Sequence, residues 1–176
     1  MGEPQTRSYR LQAIARRVKY HQLASVTLAG TYVLMILGAY TSAIGAGLSC
    51  PDWPMCYGTV VPFLHPEIIA NSPYSVLQIF AEWGHRGLAM IVGLLIISTA
   101  LVAWYTRENS IVRGSAVFAA LLLPVQVVLG GLTVTQSLEP VIVTSHLATA
   151  TLILVALTAS AVVSWPALDA KISVSR

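Results

Sequence analysis

The chain has 176 residues, 56% of them hydrophobic and only 10% charged, against about 25% charged in an ordinary soluble domain. No soluble interior of this size hides that much apolar surface, so the composition points to lipid as the solvent and to a single domain. The net charge of +3 comes with one basic cluster at the start of the chain and none later, which excludes a nucleic-acid footprint.

Residues 1–22 form a basic tail carrying Arg7, Arg10, Arg16, Arg17 and Lys19. Leu11, Ile14, Ala15 and Val18 recur at helical spacing. That fits an amphipathic helix on the membrane surface, and equally a frayed, solvated tail. A cleaved leader is not expected, because the first apolar run exceeds the roughly 7–15 residues of a signal core.

Four apolar segments follow, at about residues 23–46, 82–105, 114–135 and 141–165. Each is near the ~20 residues that cross a bilayer as a helix. The spacing predicts an all-α fold, a transmembrane four-helix bundle over residues 23–165, with a tail at 166–176. Lys and Arg set the orientation. Arg107 and Arg113 lie between the second and third segments, and Lys171 and Arg176 lie in the tail, but residues 47–81 hold none. Both termini are therefore expected on the cytoplasmic side of the cell membrane. The 47–81 loop and the turn at Glu139-Pro140 are expected outside. With Pro51, Pro54, Pro62, Pro66, Pro73 and several aromatics, the loop reads as an ordered cap rather than a disordered linker.

Two histidines fall inside the second and fourth segments. At 1.5 Å per residue, His85 lies about 5 Å below the start of its segment and His146 about 8 Å below the start of its own. In an up-down-up-down bundle those helices are diagonal, with axes about 13 Å apart. Two imidazoles reaching inward leave room for one iron, and a porphyrin needs two nitrogen donors on opposite faces. The plainer reading is two buried histidines bonded to each other or to backbone, but ionisable groups in a span are functional by default. His21, at the inner interface, and His65, in the loop, lack such partners and are read as structural.

Glu82 lies three residues before His85 and four before Arg86, so all share one helical face. Glu82 and Arg86 fit a structural ion pair. They also fit a proton-accepting carboxylate at a heme edge and a guanidinium that grips a heme propionate. Gly30, Gly38, Ser42 and Gly45 form one stripe, and Gln126, Gly130, Thr133 and Ser137 another. Such small residues suit close helix packing, or a flat macrocycle lying against the helix. Pro124 is expected to kink the third helix, and Gln126 needs a polar partner at membrane depth, with another protomer as one candidate. Cys50 and Cys56 flank a tight Pro-Asp-Trp-Pro-Met segment. Outside the cytoplasm a disulfide is the expectation, with a redox role open, and a zinc site would need two further ligands.

The stretch Gly38-Ala-Tyr-Thr-Ser, then Gly47-Leu-Ser-Cys50-Pro-Asp-Trp-Pro-Met-Cys56-Tyr-Gly58, resembles the end of the first helix and the outer loop of heme A synthases. Glu82-x-x-His85-Arg86, Gln126-Val-Val-Leu-Gly-Gly-Leu-Thr-Val134 and His146-Leu147 look like that family's second, third and fourth helices, over about residues 30–155. The resemblance implies oxidation of the C8 methyl of heme O to a formyl group by successive hydroxylations, making heme A for terminal oxidases with a heme b cofactor. It implies His85 and His146 as ligands of the heme iron, Glu82 next to the chemistry, and Cys50–Cys56 as a disulfide. It also implies a heme O synthase and a terminal oxidase as partners, together with an electron acceptor of unknown identity. Family members typically carry two such four-helix halves. One half here implies a homo-oligomer, dimer or trimer. The rival reading is a bis-histidine membrane cytochrome b that carries electrons without substrate chemistry.

Overall fold

The computed structural model describes residues 3–106 and 109–165, with side chains from Lys19 onward. Five α-helices follow one another: α1 Glu3–Ala43, α2 Pro66–Asn71, α3 Val76–Thr106, α4 Ser110–Thr135 and α5 Pro140–Val163. A 3₁₀ turn at Pro62–Leu64 precedes α2. Four spans are long and apolar enough to cross a membrane: Lys19–Ala43, Val76–Thr106, Ser110–Thr135 and Pro140–Val163. The chain is an all-helical, multi-pass membrane protein. Helix α1 runs unbroken from Glu3 through the first span. The side chains that would decide between an amphipathic surface and a solvated tail lie outside the described residues, as do Arg107, Lys171 and Arg176.

The helices pack in a ring, α1 on α3, α3 on α4, α4 on α5 and α5 on α1, which leaves α3 and α5 on a diagonal. The half of the bundle nearest the N-terminal end of the first span is tightly filled. Tyr20, Ala24, Ala100, Ala103, Val112, Ala116 and Ala161 form one buried cluster. Val92, Ile96, Ala119, Ile153, Ala156 and Leu157 form the next. Small residues bring the backbones close, and hydroxyls bond across helices, with Thr27 to Thr99 at 2.8 Å and Tyr20 to Ser160 at 2.5 Å. His21 is structural: its Nδ1 lies 3.1 Å from the Ala161 carbonyl, one of the last carbonyls of α5, which have no intrahelical partner.

Two boundaries differ from expectation. Helix α3 begins at Val76, six residues before 82, because Ser75 and Gln78 form a capping box. Gln78 N–H donates to Ser75 Oγ at 3.3 Å, and Ser75 N–H donates to Gln78 Oε1 at 2.9 Å. His85 is therefore nine residues into its helix and His146 six into α5, or roughly 13 and 9 Å at 1.5 Å per residue. The reckoning of depth from helix starts is corrected accordingly. Ser137 is not on the third helix, which ends at Thr135. It lies in the α4–α5 turn, where Ser137 (φ 51°) and Leu138 (φ 61°) are both left-handed. Helix α4 continues through Pro124.

Candidate functional site

Between the filled half of the bundle and the cap sits a level with no buried apolar cluster, and both histidines lie there. His85 rests on α1 at Gly38, where an added Cβ would come within 2.9 Å of His85 Cε1. His146 rests on α4 at Gly130, where an added Cβ would come within 3.2 Å of His146 Cε1. Each ring thus occupies a notch that only glycine leaves open. Gly38 lies five residues before the end of α1 at Ala43 (43 − 38), and Gly130 five before the end of α4 at Thr135 (135 − 130). Both notches are therefore about 7.5 Å from the C-terminal ends of their helices. Measured from the seats, the two rings share one level. The glycines serve as seats for rings at these two positions, whereas Gly30 faces Val92 in ordinary helix packing.

The Nδ1 atoms of His85 and His146 are buried without a hydrogen-bond partner, as is Oε1 of Gln126. Gln126 Nε2 lies 3.4 Å from His146 Nε2, so its partner is a histidine of the same chain. Among the described residues, no group of three or more His, Cys, Asp or Glu side chains is gathered for a metal ion.

Glu82, one turn outward from His85, is 6% exposed. Its Oε1 accepts from Arg86 Nε at 2.9 Å, so the ion pair is present. Arg86 does more than pair. Its Nη1 donates to the carbonyls of Asp52 at 2.5 Å and Met55 at 2.6 Å, and its Nη2 to that of Cys50 at 2.8 Å. Four of the five guanidinium N–H groups are thus committed to Glu82 and to the loop, which leaves one for any other anion.

That loop is closed by a disulfide between Cys50 and Cys56, both buried. The Asp52 carboxylate accepts from the N–H groups of Tyr57 at 2.6 Å and Gly58 at 2.7 Å. This binds the turn where both residues have positive φ, 56° and 72°. Trp53 lies on α4 at Gly131, where a Cβ would sit 3.2 Å from its ring. The loop is therefore held by α3 through Arg86 and by α4 through Trp53, as a roof over the histidine level. Phe63, Phe80 and Trp83 pack beside it, with ring centroids 5.5–6.0 Å apart. His65 stays outside, half-exposed, 3.3 Å from Glu67. Trp53, Gly131 and Asp52 were not expected as site residues. The adjacent Gly130-Gly131 pair was the available signal, since two glycines in a helix interior weaken it unless something packs close.

Comparisons with known proteins identify the family. The family model for the COX15-CtaA cytochrome oxidase assembly proteins matches residues 21–173. A heme A synthase of Shewanella oneidensis is 36% identical over 132 residues, 71% of this chain and 39% of that protein. A heme A synthase of Rhodospirillum centenum is 31% identical over 139 residues, 77% of this chain and 36% of that protein. A protoheme IX farnesyltransferase of Natronomonas pharaonis is 37% identical over 122 residues, 69% of this chain but 24% of that protein. The chain thus spans well under half the length of these relatives. No solved structure matches it. The resemblance to heme A synthases holds, and the chain belongs to the COX15-CtaA family of cytochrome oxidase assembly proteins.

Proposed function

We propose that this chain is a heme A synthase unit that holds heme b between His85 and His146 and oxidises the C8 methyl group of heme O to a formyl group. One observation carries the proposal: two imidazoles on diagonal helices, each in a glycine notch at the same level, each with a buried ring nitrogen left unpaired. Buried polar groups are normally satisfied. The donor set suits an iron porphyrin, whose iron takes imidazole nitrogen as a ligand.

When bound, the iron porphyrin supplies the redox chemistry. The chain does the rest. His85 and His146 would hold the iron porphyrin through their ring nitrogens. Glu82, next to His85 on the outer side, accepts protons released as the methyl group is oxidised. Arg86 holds that carboxylate in place and ties it to the disulfide roof, which keeps bulk water off the site. The remaining Nη2 N–H of Arg86 is available to a heme propionate. Several relatives bear the name heme A synthase, which supports the reaction class.

Among the described residues one pair of histidines with unpaired buried nitrogens lies in the spans, and we propose that two or three copies of the chain associate. The match to a quarter of a protoheme IX farnesyltransferase supports placing this unit beside an enzyme that prenylates heme, with a terminal oxidase receiving the product. We place the cysteine loop on the extracytoplasmic side of the cell membrane, on the strength of its lack of Lys and Arg.

The test is to co-express the protein with a source of heme O, purify it and extract its hemes. Heme A or its hydroxylated precursor is the expected result. Glu82→Gln should retain heme while product formation falls about 100-fold or more. The Glu82–Arg86 ion pair would be equally at home in a cytochrome b, and recovery of heme b alone would favour that electron carrier.

A further inference from the structure

Arg113 lies in the first turn of α4, at the end of the bundle opposite the disulfide roof. Its guanidinium carbon stands 5.3 Å from the ring centroid of Trp104, near the end of α3, close enough for a cation–π contact. Among the described residues no carboxylate pairs with it. A guanidinium stacked on a ring keeps its in-plane N–H groups for an anion, and their fork matches a phosphate. From this pair toward the middle of the span, α3 and α4 border a shallow groove that holds about 360 Å³. It runs from Trp104 to Ile97, seven residues (104 − 97) or about 10 Å of helix. Ala100 and Ala120 leave it open, because larger side chains there would fill it. Leu101 and Leu121 on its sides are 53% and 69% exposed, so it faces outward, where the bilayer lies. Tyr105, 82% exposed, stands with Trp104 at its mouth. Tryptophan and tyrosine favour the headgroup level of a membrane.

We propose that this groove is a binding site for one anionic phospholipid. An acyl chain lies over Ala100 and Ala120, and the phosphate pairs with Arg113 above Trp104. An arginine at a helix end by itself marks topology, and an apolar groove by itself is a gap between packed helices. Joined at headgroup level, they match a molecule with a negative head and a long apolar tail. Charge complementarity selects the head. A choline headgroup carries its own cation beside the phosphate, which competes with the guanidinium, whereas a net-negative headgroup does not. The size of the groove selects the tail. It suits a length of acyl chain and is too small to seat another helix, which with its side chains is about 10–12 Å across. Bound there, the lipid ties α3 to α4 at the end of the bundle farthest from the roof. The site is independent of the histidine level and of any heme.

The experiment uses the full chain in a mild detergent, incubated with an equal mixture of phosphatidylglycerol and phosphatidylcholine and weighed intact by native mass spectrometry. The wild type should retain phosphatidylglycerol in preference to phosphatidylcholine, one molecule per chain. Arg113→Gln should lower that preference about tenfold, the effect of losing a charge-assisted hydrogen bond. Lys19, an exposed basic residue of α1 at the same end of the bundle, is the control, and Lys19→Gln should leave the preference unchanged. Ala120→Leu fills the groove and should abolish retention with Arg113 still in place. Arg113 is exposed, so its variant folds and decides the matter if Ala120→Leu does not. Equal retention of the two lipids by the wild type overturns the proposal, as do equal losses in the Arg113 and Lys19 variants or an Arg113→Gln variant that binds like the wild type. A folded Ala120→Leu variant that keeps its lipid also overturns it. If that variant instead breaks up an oligomer, the groove is an interface between copies of the chain.

Discussion

A notch made by one missing methyl group decides where each histidine ring can lie. At Gly38 the added carbon would sit 2.9 Å from His85 Cε1, and the obstructing atom belongs to the ring itself. Gly38→Ala must therefore tilt the imidazole, at an overpacking cost of about 1–3 kcal/mol. Heme retained by the purified protein should fall about tenfold, read from its absorption after extraction into pyridine. Gly87, on α3 two residues from His85, has open space where its Cβ would go. Gly87→Ala should leave heme content unchanged, and equal losses in both variants would show that the notch has no special role. The histidines themselves were legible in the sequence, because an ionisable group inside an apolar run stands out. Their seats were legible only as small-residue stripes, since periodicity does not say which glycine faces a ring.

Arg86 joins two elements that the sequence showed separately. Helix α3 carries the Glu82 carboxylate, and the disulfide loop presents three carbonyls to the same guanidinium. Removing it strands a buried carboxylate. Arg86→Leu should destabilise the protein by about 3–5 kcal/mol, seen as a lower midpoint of thermal unfolding in detergent. Adding Glu82→Gln should recover much of that loss. If the double variant is no more stable than Arg86→Leu alone, the pair is not coupled as described. The start of α3 is a second case at this scale. Ser75-x-x-Gln78 is a capping box in the sequence, but it follows Pro73 in a polar stretch, so the apolar run seemed to begin at 82. Gln78 also donates to the Ile44 carbonyl at 2.9 Å, pinning the end of α1 to the start of α3. Ser75→Ala should cost about 1 kcal/mol, and Gln78→Ala more, because it releases both helices; equal losses would argue against the second contact. The four spans themselves were legible from length and apolarity. The roof contact of Trp53 on Gly131 was not, because loop conformation has no period to read.

Across the whole molecule, the buried apolar clusters of the spans lie on one side of the histidine level and the disulfide roof on the other. The lack of basic residues in 47–81 is the ground for our proposal that the roof faces outside. In intact cells, a maleimide reagent that does not cross membranes should label Cys50 and Cys56 only after an added reductant. Labelling that appears only after lysis would invert the topology. Crosslinking in native membranes should give a discrete oligomer of two or three copies. A strictly monomeric chain that still makes heme A would show that one histidine pair suffices.

Gly130 and Gly131 are neighbours on α4, one supporting the His146 ring and the other the Trp53 ring of the roof. A small turn of that helix about its own axis would shift both rings together. The register of one short stretch of one helix thus sets the place of the imidazole and of the indole above it together.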